Sequence, residues 1–304
     1  MQDPDHPDER SIAWPETLGG RIAHWMIRAG SRLSGLAHRT DHDWPRFEGG
    51  PSDDPHPLVL VHGFGVDGTT MLQLARRLVD RHRVIVPDLP GFGLHAIASD
   101  AAPDAETYLS GIDSLLECLD IPHPVLVGCS MGGGIIATYA ATRPDVPAGI
   151  VLIGPAGIEP PIDTELFAAA RRGDHFLRVD NVDAFDTIYR MNFVRPPWMP
   201  KILRRIVVAE SARKADLHER IFRNLQHYMF SDAEPYRAIT CPTMVLWGDQ
   251  DRIIHPSALA LWSDAVPHAL TEVVPDAGHS TMVEKPDEVA VLVERLCDEV
   301  DRLR

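Results

Sequence analysis

The chain has 304 residues, 44% of them hydrophobic and 24% charged, with a formal net charge of −15. These values suit a globular protein whose core is large enough to carry an inserted subdomain. So acidic a molecule repels a phosphate backbone, so nucleic acid is not an expected partner.

Residues 1 to about 15 are acidic and Pro-containing and read as a flexible tail. They have neither the basic n-region nor the apolar h-region of a signal peptide, and no apolar run approaches the roughly 18 to 20 residues of a membrane span. From Leu18 to about Ala37, Leu18, Ile22, Trp25, Met26, Ala29, Leu33 and Leu36 recur at helical spacing. Arg21, Arg28, Arg32 and Arg39 accompany them, so residues 18–37 form an expected basic amphipathic helix. Such a helix packs on its own domain or lies on a lipid surface.

From Pro57 onward, short apolar or β-branched runs alternate with helical stretches. The expected strands are Leu58–Val61, Arg83–Pro87, Val125–Gly128, Ile150–Ile153, Met244–Trp247 and Thr271–Val274. Nearly continuous apolar runs belong to parallel strands covered on both faces. Met71–Leu78, Thr107–Leu119 and about 286–303 have helical periodicity. The expected fold is α/β: a doubly wound, mostly parallel sheet. Between about Gly157 and Arg237 the alternation stops. Glu165–Arg172, Val182–Asn192, Lys201–Ser211 and Leu217–Tyr228 read as helices, with no good strand among them. The expected organisation is therefore a tail and amphipathic helix over 1–40, a core built from 41–156 and 238–304, and a helical cap over 157–237. The cap's Phe167, Phe176, Phe185, Met191, Phe193, Trp198, Met199, Met229 and Phe230 mostly form its own core, while a few line an acyl pocket.

Cys118, Cys129, Cys241 and Cys297 are widely spaced, without a CxxC pair. This supports neither a zinc site nor a disulfide framework and fits a reducing compartment. The expected location is cytoplasmic, with residues 18–37 a candidate for peripheral contact with a lipid surface. No metal, nucleotide or flavin signature is present, and no cofactor is expected.

The chemistry centres on Val125-Leu-Val-Gly-Cys-Ser-Met-Gly-Gly-Gly134, in which a strand, a G-x-S-x-G turn and a helix follow one another. That order makes Ser130 the expected nucleophile of an elbow, with the following helix N-terminus placing N–H groups beside it. Cys129 reads as a small buried neighbour rather than a catalytic thiol. A serine hydroxyl needs a base, and the base an orienting carboxylate. Of fifteen histidines, His279 is the candidate base, because it follows the last expected strand on a glycine-containing loop. Asp249 and Asp251 compete as the acid after Val245-Leu-Trp-Gly248. The later carboxylate is taken as the one facing the site, and Asp249 as a turn residue. The order Ser130, Asp251, His279 is that of an α/β hydrolase. Backbone N–H groups of Phe64 and Met131 are the expected oxyanion donors. His62, Gly63 and Gly65 shape the loop that presents Phe64.

His62-Gly-Phe-Gly65, Asp88-Leu-Pro-Gly-Phe-Gly93, Gly128-Cys-Ser-Met-Gly132, Gly248-Asp-Gln-Asp251 and Gly278-His279 resemble the α/β-hydrolase family over about residues 45 to 300. Gly154-Pro-Ala-Gly157, Phe193-Val-Arg-Pro-Pro-Trp198 and Gly278-His-Ser-Thr-Met-Val-Glu-Lys-Pro286 are similar to its lipase/esterase branch. That branch includes bacterial family V lipases and membrane-associated monoacylglycerol lipases. Cys129, Leu94 and His95 depart from the usual residues of the family. The resemblance implies a carboxylic ester hydrolase acting through an acyl-enzyme on short- to medium-chain acyl esters or acylglycerols. Hydrolysis of a carbon–carbon bond is the alternative on this fold, although Ser280 rather than Trp follows His279. A catalytically silent binding protein would normally have lost one of the three residues.

Overall fold

The computed structural model describes residues 18–98, 100–172 and 177–303. The expected tail and Phe176 lie outside them. Eight strands form one sheet: β1 (Leu36–Arg39), β2 (Arg46–Gly49), β3 (Leu58–Val61), β4 (Val84–Pro87), β5 (Val125–Cys129), β6 (Gly149–Ile153), β9 (Thr243–Gly248) and β10 (Leu270–Val274). Their spatial order is β1-β2-β4-β3-β5-β6-β9-β10. The β1–β2 and β2–β4 pairs are antiparallel, and the remaining pairs are parallel. The fold is therefore α/β with a mostly parallel sheet.

Alternation along each strand divides the core into two layers. Val59, Val61, Leu126, Ile150, Leu152, Val245 and Trp247 face one layer, covered by α3 (Ala105–Cys118), α4 (Met131–Thr142) and α8 (Ala258–Ala265). Leu58, Leu60, Val125, Val127, Val151, Met244 and Leu246 face the other, covered by α2 (Leu72–Leu78) and α10 (Pro286–Arg302). All six expected strands form, each within a residue or two of its reading; five of the runs are buried on both faces, while β10, at the sheet edge, exposes Thr271 and Val273.

Three readings of the elements need correction. The helix expected to reach Ala37 ends earlier: α1 spans Leu18–Leu33, and Leu36–Arg39 pairs with β2 at the sheet edge. Edge strands of four residues with mixed polarity leave no apolar run to detect. Arg46, for example, is buried in β2 because Asp41 and Glu48 take up its guanidinium. Second, the two helices expected over 201–211 and 217–228 are one, α7 (Lys201–Met229). The intervening Ala212-Arg-Lys-Ala-Asp216 contains neither Gly nor Pro, so nothing ends the helix. Third, the stretch between β6 and β9 does hold strands: β7 (Gly157–Ile158) pairs with β8 (Phe230–Ser231). Two-residue strands are too short to show a period. Between them lie α5 (Glu165–Arg171), α6 (Val182–Asn192) and α7.

Candidate active site

The β5-to-α4 turn forces Ser130 into φ 54°, ψ −120°. A non-glycine residue there is strained by about 1–3 kcal/mol and persists only where its surroundings dictate it. They do so here through hydrogen bonds. Ser130 N–H donates to Ile153 O at 3.0 Å, and Ser130 O accepts from the N–H groups of Gly134 and Ala156, both at 3.0 Å. The turn also needs bare backbone on its far side. A Cβ at Gly132 would stand 2.5 Å from His62 O and 2.6 Å from Val61 O. The close approach brings the loop after β3 against the elbow, so that a Cβ at Gly63 would lie 3.3 Å from Ser130 Cβ.

His279 follows β10 and is 5% exposed. Its Nδ1 donates to Asp251 Oδ2 at 2.7 Å. Asp251, 3% exposed, also accepts from the backbone N–H groups of Ile253 and Ile254 and from Trp247 Nε1. Four donors thus hold the buried carboxylate in one orientation. Asp249 is exposed, and its carboxylate accepts from Ala277 N–H at 3.2 Å. It is Asp251, not Asp249, that meets His279.

Met131 is the first residue of α4, a position whose N–H has no partner within a helix. Phe64 lies between Gly63 and Gly65, and Gly65 takes φ +72°, which glycine adopts without strain. Both His62 nitrogens are engaged: Nδ1 donates to Gly63 O at 2.8 Å, and Nε2 accepts from Leu89 N–H at 3.0 Å. Burial holds this histidine down at about 4, so the ring is neutral, as that bonding pattern requires. Cys129 is buried, and burial pushes its thiol up, away from the reactive thiolate.

Ser130, His279, Phe64 and Met131 share the lining of a cavity of about 410 Å³. Apolar residues of the β6–β9 stretch, among them Leu166, Phe185, Phe193, Met199 and Phe230, supply much of its wall. Ile27 of α1 also reaches it. The sequence reading missed several contributors. Glu210, Lys214 and His218 line the cavity from α7, at spacings of four on a side that also presents Leu203, Val207 and Phe222. Lys214, 4% exposed, donates from Nζ to Gly93 O at 2.8 Å, and burial lowers its pKa. Glu284 ties the His279 loop to the end of α6, accepting from the N–H groups of Gly278, Val194 and Arg195. Trp247, which supports Asp251, read only as a strand residue. A polar residue recurring every fourth position in a helix was the available signal for the α7 stripe. No local signal marks Glu284 or Trp247.

Residues 58–292 match the alpha/beta hydrolase family, to which this chain belongs. Lipase 1 of Psychrobacter immobilis is 32% identical over 240 residues, covering 77% of this chain and 74% of that lipase. Human monoacylglycerol lipase ABHD6 is 24% identical over 300 residues, covering 93% and 87% of the two chains. Among solved structures, a membrane phospholipase A described as a bacterial virulence factor superposes with a TM-score of 0.84 at 29% identity. That superposition covers 92% of this chain and 91% of the phospholipase. Within the family, the protein is a serine ester hydrolase.

Proposed function

We propose that Ser130, His279 and Asp251 hydrolyse short- to medium-chain acyl esters, acylglycerols among them, through an acyl-enzyme. The observation that carries this reading is the shared cavity. A strained serine and a histidine bonded to a four-times-held aspartate open into one largely apolar space. Ser130 Oγ attacks the ester carbonyl while His279 takes its proton. The oxyanion accepts from the N–H groups of Phe64 and Met131. His279 then returns the proton to the departing alcohol, and water enters by the same route to release the acid. Asp251 holds the imidazole in the tautomer with its proton on Nδ1, while His62, Gly63 and Gly65 keep Phe64 N–H in place.

In this reading residues 157–237 act as a cap over a core of 41–156 and 238–304, and the apolar side of the cavity takes the acyl chain. The volume falls within the range of small-molecule sites. Helix α1 brings the enzyme to a lipid surface.

A fluorophosphonate probe tests the nucleophile. It should label wild-type protein at Ser130, and Ser130→Ala should abolish labelling and lower turnover by on the order of 10⁶. Undiminished labelling of that variant would move the nucleophile elsewhere. Rates across p-nitrophenyl esters of increasing acyl length, with a carbon–carbon substrate alongside, would define the acyl range and test the reaction class.

A further inference from the structure

Several large apolar side chains around the cavity stand in water. Trp25 is 68% exposed, Trp198 86%, Ile202 73% and Val66 42%. Val66 lines the cavity, while the other three lie outside it next to lining residues: Trp198 precedes Met199, Ile202 precedes Leu203, and Trp25 lies two residues before Ile27. Two residues along a helix are a rotation of about 200°. With Ile27 turned to the cavity, Trp25 is left on the outer side of α1. Helix α1 packs against α7, and neighbours of all four groups line the one cavity, so they are taken together as its rim.

The charge of the rim opposes that of the molecule. Helix α1 contains Arg21, Arg28 and Arg32 and no acid, and residues 201–209 contain Lys201, Arg204 and Arg205 and no acid. All but Arg204 are exposed; Arg204 is paired with Asp186. The chain as a whole carries −15. Among the described lining residues, the acids are Asp67, beside Val66, and the buried Glu210.

We propose that this rim seats on an anionic lipid surface. Trp25, Trp198, Ile202 and Val66 enter the headgroup boundary, and the surrounding Arg and Lys meet lipid phosphates. The cavity then opens towards the bilayer, and an acyl chain reaches Ser130 without crossing bulk water. What enters the cavity rests on the ester-hydrolase reading; the docking does not. A second copy of the chain is disfavoured as the occupant, because a two-fold interface would set the same basic patch against itself.

The test is sedimentation of the full chain with vesicles of phosphatidylcholine, with and without phosphatidylglycerol. Partitioning should be stronger on the anionic vesicles and weaken with salt. The triple variant Trp25→Ser, Trp198→Ser, Ile202→Ser should reduce it by about tenfold or more. Reversing Arg28, Lys201 or Arg205 to Glu should reduce it by at least about fivefold each. All should hydrolyse a short, water-soluble p-nitrophenyl ester at near wild-type rates, which shows that they fold. Negligible or equal sedimentation with both vesicles would overturn the proposal. So would dimerisation in analytical ultracentrifugation that the same variants abolish without any vesicle binding. Ser130→Ala should dock like wild type, so lost turnover with retained docking separates the two readings.

Discussion

At the scale of single residues, the two aspartates after β9 show what burial and bonding decide. Asp251 and Asp249 stand two positions apart on one turn, yet one is buried under four donors and the other is exposed. Asp251→Asn should lower kcat by about 10⁴, because the amide cannot hold the imidazole in the same tautomer. Asp249→Asn should stay near the wild-type rate, and a larger loss at 249 would refute the assignment. The chain order and the Gly-x-x-Asp turn were legible in the sequence; the donors from Trp247 and the 253–254 backbone were not. His218 offers a second prediction. Burial, reinforced by the Lys214 charge, holds its pKa down at about 4, below the ordinary 6.5. A depressed histidine contributes stability that is present above pH 6.5 and lost as pH falls through about 4. His62 acts in the same direction. Asp88 acts oppositely: burial, then the Asp67 charge, pushes it up to about 7, so its contribution is lost as pH rises through that value. The difference between wild type and His218→Leu isolates one group. The stability gap between them should shift in favour of the variant, by up to about 1.4 kcal/mol per pH unit, as pH falls from 6.5 towards 4. Thermal unfolding across that range checks it, and a constant gap would contradict it.

At the scale of elements, the elbow is a strand and a helix joined with no room to spare. Gly132→Ala would press a methyl group against the carbonyl oxygens of Val61, the last residue of β3, and His62. The expected cost is about 3 kcal/mol or more, with a fall in Tm of several degrees and a loss of kcat as Ser130 shifts. Unchanged stability and rate would mean that the loop after β3 can give way. This element was legible because its signal is local: an apolar strand, a glycine-flanked serine and a helix in immediate succession. The length of α7 was read less well, since polar residues at 210, 214 and 218 interrupt its apolar face. Those residues are tolerated because they meet the cavity and the Gly93 carbonyl rather than the packed core.

At the scale of the whole molecule, α1 is a wall of the cavity as well as an outer surface. It packs on β1 and α7 and contributes Ile27 to the lining. Removing residues 1–33 leaves β1 in the sheet, and cooperative unfolding should survive with a lowered Tm. KM should rise for the longest ester accepted while kcat on a short ester changes little; loss of the folding transition would show α1 to be essential to the core. What the sequence by itself determined is the class of fold, and it pointed to Ser130, Asp251 and His279 as the proposed catalytic set. Strands buried on both faces leave continuous apolar runs, and the elbow leaves a pattern of consecutive residues. The tertiary structure alone decided what touches across the chain. The edge strands, the Glu284 tie between the His279 loop and α6, and the joining of α1, the loop after β3 and α7 around one cavity rest on contacts between residues far apart in sequence. Periodicity reports how one element meets its own surroundings, and it carries no information about which distant element supplies them.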